Sequence, residues 1–155
     1  MEYTLREGFS PQERAAVAAR VLNALPEWFG IPESTAQYVE GCKALPFAAV
    51  CDGESPVGFL ALRQTAPQAG EVYGMGTRPA YHRKGAGRAL LAWAEQYARA
   101  AGWKLLQVKT LDAAHPSPEY ARTRAFYHAM GFVDLECFPT LWDEGNPCLV
   151  LVKAL

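Results

Sequence analysis

Apolar positions along this chain recur with two periods, one helical and one alternating. Val17, Val21 and Leu25 keep helical spacing behind Ser10-Pro11-Gln12-Glu13, a capping box with proline at the first helical position. They predict a helix through about residue 24, stopped because Pro26 restricts the residue before it. A second helix is predicted over residues 33–44, with Tyr38, Cys42 and Leu45 on one face and Gly41 weakening it. The third covers residues 85–101. It carries Leu90, Ala94, Tyr97 and Ala101 along one face and the i,i+4 pair Glu95 and Arg99 on another. Gly102 closes it, and Trp103 can pack back on its last turn. A fourth begins with the cap and proline of Ser117-Pro118-Glu119 and ends near Met130, before Gly131-Phe132.

Between the helices the period drops to two. Strands are predicted over residues 2–7, 47–51 and 57–63, the last two forming a hairpin about the turn Asp52-Gly53-Glu54-Ser55. A loop over 65–70 leads to a strand over 71–77, and a further strand covers 105–110. A closing pair, 132–138 and 148–152, is joined by a connection over 139–147 that holds Trp142. The strand over 71–77 contains Gly74 and Gly76, which weaken it and mark a bulge or a close approach of another backbone.

With 155 residues, half of them hydrophobic, the chain suits one domain, residues 1–155, around one substantial core. The net charge of −1 and the scatter of Lys and Arg argue against a nucleic-acid partner. No apolar run has the length of a membrane span and the N-terminus lacks a signal-peptide pattern, so no membrane partner and a cytoplasmic location are expected. Cys42, Cys51, Cys137 and Cys148 lie at wide, irregular spacings, which points to free thiols and to no bound metal. Cys137 and Cys148 could face each other across the terminal hairpin.

The chemistry concentrates after the glycine-bearing strand, in Tyr81-His82-Arg83-Lys84-Gly85-Ala86-Gly87-Arg88. Two glycines ahead of a helix let several N–H groups converge on one point, and the helix dipole with Arg83, Lys84 and Arg88 favours an anion there. A Walker loop is excluded because no Gly-x-x-x-x-Gly-Lys-Ser/Thr occurs. A dinucleotide fingerprint is excluded because Leu90 stands where its third glycine belongs.

The run His82-Arg83-Lys84-Gly85-Ala86-Gly87 resembles the Gln/Arg-x-x-Gly-x-Gly/Ala loop of the GCN5-related N-acetyltransferases (GNAT), departing from it at His82. The segment Phe126-Tyr127-His128-Ala129-Met130-Gly131-Phe132 resembles the family's second recognisable run, and the likeness extends over nearly the whole chain. It implies an α+β fold, an α/β/α sandwich. Its central sheet would have about seven mostly antiparallel strands, with a bulged fourth strand splayed from the fifth and about four helices. It further implies acetyl-coenzyme A as co-substrate. Loop amides of residues 82–88 would hold the pyrophosphate, and main-chain groups of Met75, Gly76 and Thr77 would line the pantetheine arm.

Acetyl transfer to an amine needs a base and an acid, because neutralising an alkyl ammonium of pKa about 10.4 at pH 7 costs about 4–5 kcal/mol. The resemblance makes Tyr127 the candidate acid for the departing sulfur and Glu71 the candidate water-mediated base. Asp112 and His115 are weaker substitutes for the base. No cysteine is placed as an acyl carrier, so direct attack by the amine is expected. Trp28 and Phe29 lie in the segment that overlies the acceptor site in this family, and with Trp142 they are candidate acceptor contacts. The acceptor is a primary amine of a small molecule or peptide, and such domains often form homodimers. A non-catalytic acyl-coenzyme A sensor is the alternative function. A protein-binding module using the Trp28-Phe29 and Trp142 loops is a third.

Overall fold

Alternation along the inner strands sorts the core into two layers. In β2 (Phe47–Asp52), Phe47, Ala49 and Cys51 face one layer and Ala48 and Val50 the other. In β3 (Ser55–Ala66), Phe59 and Ala61 join the first layer and Leu60 and Leu62 the second. The first layer is closed by α1 (Pro11–Leu22) and α2 (Pro32–Gly41), through Val17, Ala18, Val21, Leu22 and Tyr38. The second is closed by α3 (Ala86–Ala100) and α4 (Pro118–Ala129), through Leu90, Leu91, Trp93, Ala94, Ala98 and Tyr127.

The computed structural model describes residues 3–155. The remaining strands are β1 (Thr4–Arg6), β4 (Ala69–Thr77), β5 (Leu105–Leu111), β6 (Val133–Asp143) and β7 (Asn146–Ala154). They form one seven-stranded sheet in the order β1-β2-β3-β4-β5-β7-β6. Only the β4–β5 pair is parallel among the described strands. This is the expected α/β/α sandwich with its mostly antiparallel sheet and four helices.

Local signals located most boundaries. Ser10 accepts from the Glu13 amide at 3.1 Å while the Glu13 carboxylate accepts from the Ser10 amide at 2.8 Å, so the capping box is complete. Gly102 takes φ 80° at the end of α3, and the buried Trp103 returns its amide to the Ala98 carbonyl at 2.9 Å. Cys42, Cys51, Cys137 and Cys148 are all free thiols.

The structure departs from the sequence expectations at several points. The predicted opening strand over 2–7 shortens to β1, and Glu2 lies outside the described residues. The helix over 33–44 is α2 followed by a single 3-10 turn, Cys42–Ala44. The loop over 65–70 is a tight turn, since β3 and β4 pair out to Ala66 and Ala69. The apolar face of α3 turns toward Leu91, Trp93 and Ala98, leaving Tyr97 at 38% exposure on the rim.

The terminal connection over 139–147 contracts to a two-residue turn between Asp143 and Asn146, and Trp142 therefore lies in β6. Pro139 is tolerated because β6 is an edge strand and its register with β7 slips between Phe138 and Asp143. The same register sets Cys148 opposite Phe138 rather than Cys137.

Candidate active site

The site begins at one surplus residue. Ala61 pairs with Gly74 but its neighbour Leu62 pairs with Val72, so Tyr73 is an extra residue in β4. Tyr73 packs edge-on against Tyr38 of α2 with ring centroids 5.3 Å apart, while Val72 and Met75 turn to the α3/α4 layer. A regular strand would set Glu71, Tyr73 and Met75 on one face. The bulge leaves Glu71 with Tyr73 and sends Met75 to the other side.

Glycines make this packing possible. A Cβ on Gly41 would stand 2.1 Å from the Tyr73 hydroxyl, so any other residue there would force the Tyr73 ring tip to move. A Cβ on Gly76 would meet Leu25 and Val21, each at 3.1 Å.

The splay follows immediately. β4 and β5 stay in register from Ala69–Leu105 to Val72–Val108 and then part, although β5 continues against β7 to the Leu111–Cys148 pair. A cleft of about 1170 Å³ opens between them. Of the residues singled out in the sequence as site residues, it is lined by all except Lys84, Glu71 and Asp112.

At one end of the cleft the chain turns from β4 into α3. Arg83 takes φ 60° and Gly85 φ 85°, which folds the loop onto the first turn of α3. The helix ladder starts with the Ala89 amide donating to the Gly85 carbonyl at 3.1 Å. Among the described residues, no protein group accepts from the amides of Arg83 to Arg88. These donors, the dipole of a 15-residue helix and two exposed arginines make a site for a polyanion.

Gly87 presses this helix onto α4, since a Cβ there would stand 2.9 Å from Phe126 Cζ. His82 donates from Nε2 to the Thr77 carbonyl at 2.7 Å, a bond that assigns the proton to that nitrogen and ties the loop to the end of β4. The Trp28 ring stands edge-on to His82 at 5.6 Å.

Tyr127 reaches the cleft from α4. Phe126 and Phe132 hold its ring at centroid distances of 5.4 and 5.5 Å, and its hydroxyl lies 3.8 Å from Met75 Sδ. Burial raises the phenol pKa well above its ordinary value, so the group keeps its proton at neutral pH. Tyr120, two turns earlier on the same face of α4, donates to the Trp28 carbonyl at 2.6 Å, and burial pushes its pKa up to about 12. Trp28 donates from Nε1 to Thr123 Oγ1 at 3.0 Å. These two bonds fasten the loop after α1 to α4. Trp28 and Phe29 thus line the cleft while their rings also pack on the α1/α2 core.

Glu71 is 4% exposed, and its two carboxylate oxygens accept separately from Arg63 of β3 and Lys109 of β5. It faces a neighbouring cavity of about 450 Å³ that shares Tyr38, Val72, Tyr73, Lys109 and Trp142 with the main cleft. The weaker base candidates divide. Asp112 accepts from the Ala114 amide at 2.9 Å, whereas His115 lines the cleft with Nδ1 buried and unpartnered.

Sequence reasoning missed Arg63, Lys109, Tyr38 and Tyr73. Arg63 faces Glu71 across the β3–β4 hairpin, which counting back from a tight turn would have revealed. Lys109 arrives through parallel pairing across a helix, for which no local signal exists.

A family model described as the acetyltransferase (GNAT) family matches residues 15–132. Among curated protein sequences none matches this chain. Its fold is similar to that of a GNAT-family acetyltransferase structure from Desulfovibrio desulfuricans, with 21% identity, 99% of each chain covered and a TM-score of 0.82. It is similar as well to the ribosomal-protein-S18-alanine N-acetyltransferase of Escherichia coli, with 15% identity, 99% and 94% covered and a TM-score of 0.76. YncA of Salmonella typhimurium, a structure holding acetyl-CoA, matches at 16% identity, 99% and 94% covered and a TM-score of 0.73. The family model spans most of α1, the bulged β4, the glycine loop and the Tyr127 helix, and on that match the chain belongs to the GNAT family of acetyltransferases.

Proposed function

We propose that this chain transfers an acetyl group from acetyl-coenzyme A to a primary amine of a small molecule or peptide by direct attack. The single observation that carries the reading is the set of unengaged amides from Arg83 to Arg88 at the mouth of a cleft that also contains the Tyr127 phenol. Those amides would hold the diphosphate of the coenzyme, with Arg83 and Arg88 at its rim. The freed edge of β4 from Met75 to Thr77 offers main-chain partners to an extended arm. The coenzyme supplies the activated acyl group.

This chain's residues manage the protons. The acceptor must lose a proton before its nitrogen can bond the acyl carbon, and Glu71 takes that proton through a water. Because Arg63 and Lys109 hold both carboxylate oxygens, Glu71 must loosen one of these bonds to do so. Tyr127 donates to the sulfur as its bond to the acyl carbon breaks. One C–N bond forms and one C–S bond breaks, and the amide and free thiol are released.

The test is thiol release from acetyl-coenzyme A across a panel of amines, run beside the melting temperature with and without coenzyme A. Stabilisation by the coenzyme together with amine-dependent thiol release supports the reading. Stabilisation without turnover on any amine would favour an acyl-coenzyme A sensor, and no stabilisation would remove the coenzyme from the assignment.

A further inference from the structure

The cavity beside the cleft is built around charge. Its floor is the Arg63–Glu71–Lys109 bridge, in which each cation gives one hydrogen bond to Glu71. A guanidinium has five N–H groups and an ammonium three. Among the described residues, neither side chain donates to any other protein acceptor. The three side chains carry a net charge of +1, so the cavity retains attraction for an anion after Glu71 is accounted for.

The walls constrain the rest of the ligand. Arg63 lies over the Tyr73 ring at 5.2 Å, Tyr38 stands edge-on to the same ring, and Trp142 and Leu141 close the β6 side. A volume of about 450 Å³ is at the small end of ligand pockets, which run to about 1,000 Å³. Tyr38, Val72, Tyr73, Lys109 and Trp142 belong to both cavities, and Val72 is the last residue of β4 paired with β5. A small ligand seated here therefore points one end at the opening of the splay.

We infer that the acceptor is a small amine with a free carboxylate, of the amino-acid class and with an apolar or aromatic side chain. This rests on the acetyltransfer reading and names its acceptor. The carboxylate engages the spare donors of Arg63 and Lys109, the side chain lies among Tyr38, Tyr73 and Trp142, and the amine is directed past Val72 toward the cleft. The Glu71 carboxylate faces that amine as its counter-charge.

The test compares L-phenylalanine and L-leucine with their carboxamides and with phenethylamine and isoamylamine, by thiol release from acetyl-coenzyme A. The expected result is a kcat/KM at least tenfold higher for the free acids. Carboxamides carry less basic amines, so ease of deprotonation works against that result. Arg63→Gln should bring the acid-to-amide ratio close to one by raising KM for the acids, while Arg63→Lys keeps part of the preference. The wild-type comparison does not depend on either variant folding. Acetylation of the amides and decarboxylated amines as fast as the acids overturns this inference and leaves acetyl transfer standing. Absence of thiol release with every amine overturns both.

Discussion

The hydroxyl of Tyr127 lies 3.8 Å from Met75 Sδ, so the phenol in the last turn of α4 meets the bulged strand on the side away from Glu71. A soft thioether is a weak acceptor, and the hydroxyl has no stronger partner among the described residues. A buried phenol held this way is free to donate to a sulfur that enters the cleft.

Tyr127→Phe removes that donor at nearly constant volume. We expect kcat to fall by roughly 10²-fold or more, in the range of general-acid contributions, with the dissociation constant of coenzyme A changed less than about threefold. Steady-state kinetics with calorimetric titration of the coenzyme separates the two. An unchanged kcat would strip Tyr127 of its role.

Glu71→Gln leaves Arg63 and Lys109 beside a neutral amide. Breaking a fully buried pair costs about 3–5 kcal/mol, and the exposure of both cations reduces this, so a loss of about 2 kcal/mol in urea unfolding is expected. If Glu71 receives the amine proton, the variant's kcat/KM should also depend more steeply on pH between 7 and 9. Loss of stability with an unaltered pH profile would make Glu71 structural.

Gly87→Ala tests the contact between α3 and α4. The added methyl would meet Phe126 Cζ at 2.9 Å, and accommodating it costs about 1–3 kcal/mol by overpacking. Because Gly87 lies in the loop's first helical turn, coenzyme affinity should fall with stability. A variant as stable as the parent would show that Phe126 yields freely.

Trp28→Ala probes the loop above the cleft. Trp28 is half-buried and bonded to Thr123, so the prediction is a severalfold rise in acceptor KM with the fold retained. Circular dichroism melting beside kinetics decides, and an unfolded variant would assign Trp28 to the core.

Stability should fall steeply in alkali. Burial raises the Cys42 thiol from 9.0 to about 12 and the Cys148 thiol to about 11, and it raises the phenols of Tyr38, Tyr73, Tyr120 and Tyr127 as well. Folded-state values above the unfolded ones mean that their contribution is complete below about pH 9. It is lost as pH rises and the unfolded chain releases protons the folded chain keeps. The urea midpoint should drop between pH 8 and pH 10.5, and Cys42→Ala should shrink that drop.

Much of this was written locally. The cap at Ser10, the stop at Gly102 and the loop at Gly85 each depend on neighbours within four residues, and each was legible. The bulge was legible as a pair of glycines, but its position at Tyr73 was not. Which residue is extra depends on how β4 registers against β3, and that register decides whether Glu71 and Met75 share a face. The pairing of Glu71 with Lys109 depends on a crossover through α3, beyond the reach of any pattern in one strand. The reach of β6 through Pro139 was missed because edge position, which excuses the proline, is a property of the whole sheet.

The parting of β4 from β5 beyond Val72 also has a mechanical side. Among the described residues, everything from β1 to α3 is stitched to the β5–β7–β6 half through backbone rungs over residues 68–72 and 104–108, leaving the far end of the seam to side chains such as Phe126 against Gly87. A molecule laid along the unstitched edge acts as a brace between the halves, so occupancy and rigidity rise together. Amide exchange in residues 73–77 and 109–111 is where that stiffening would register first.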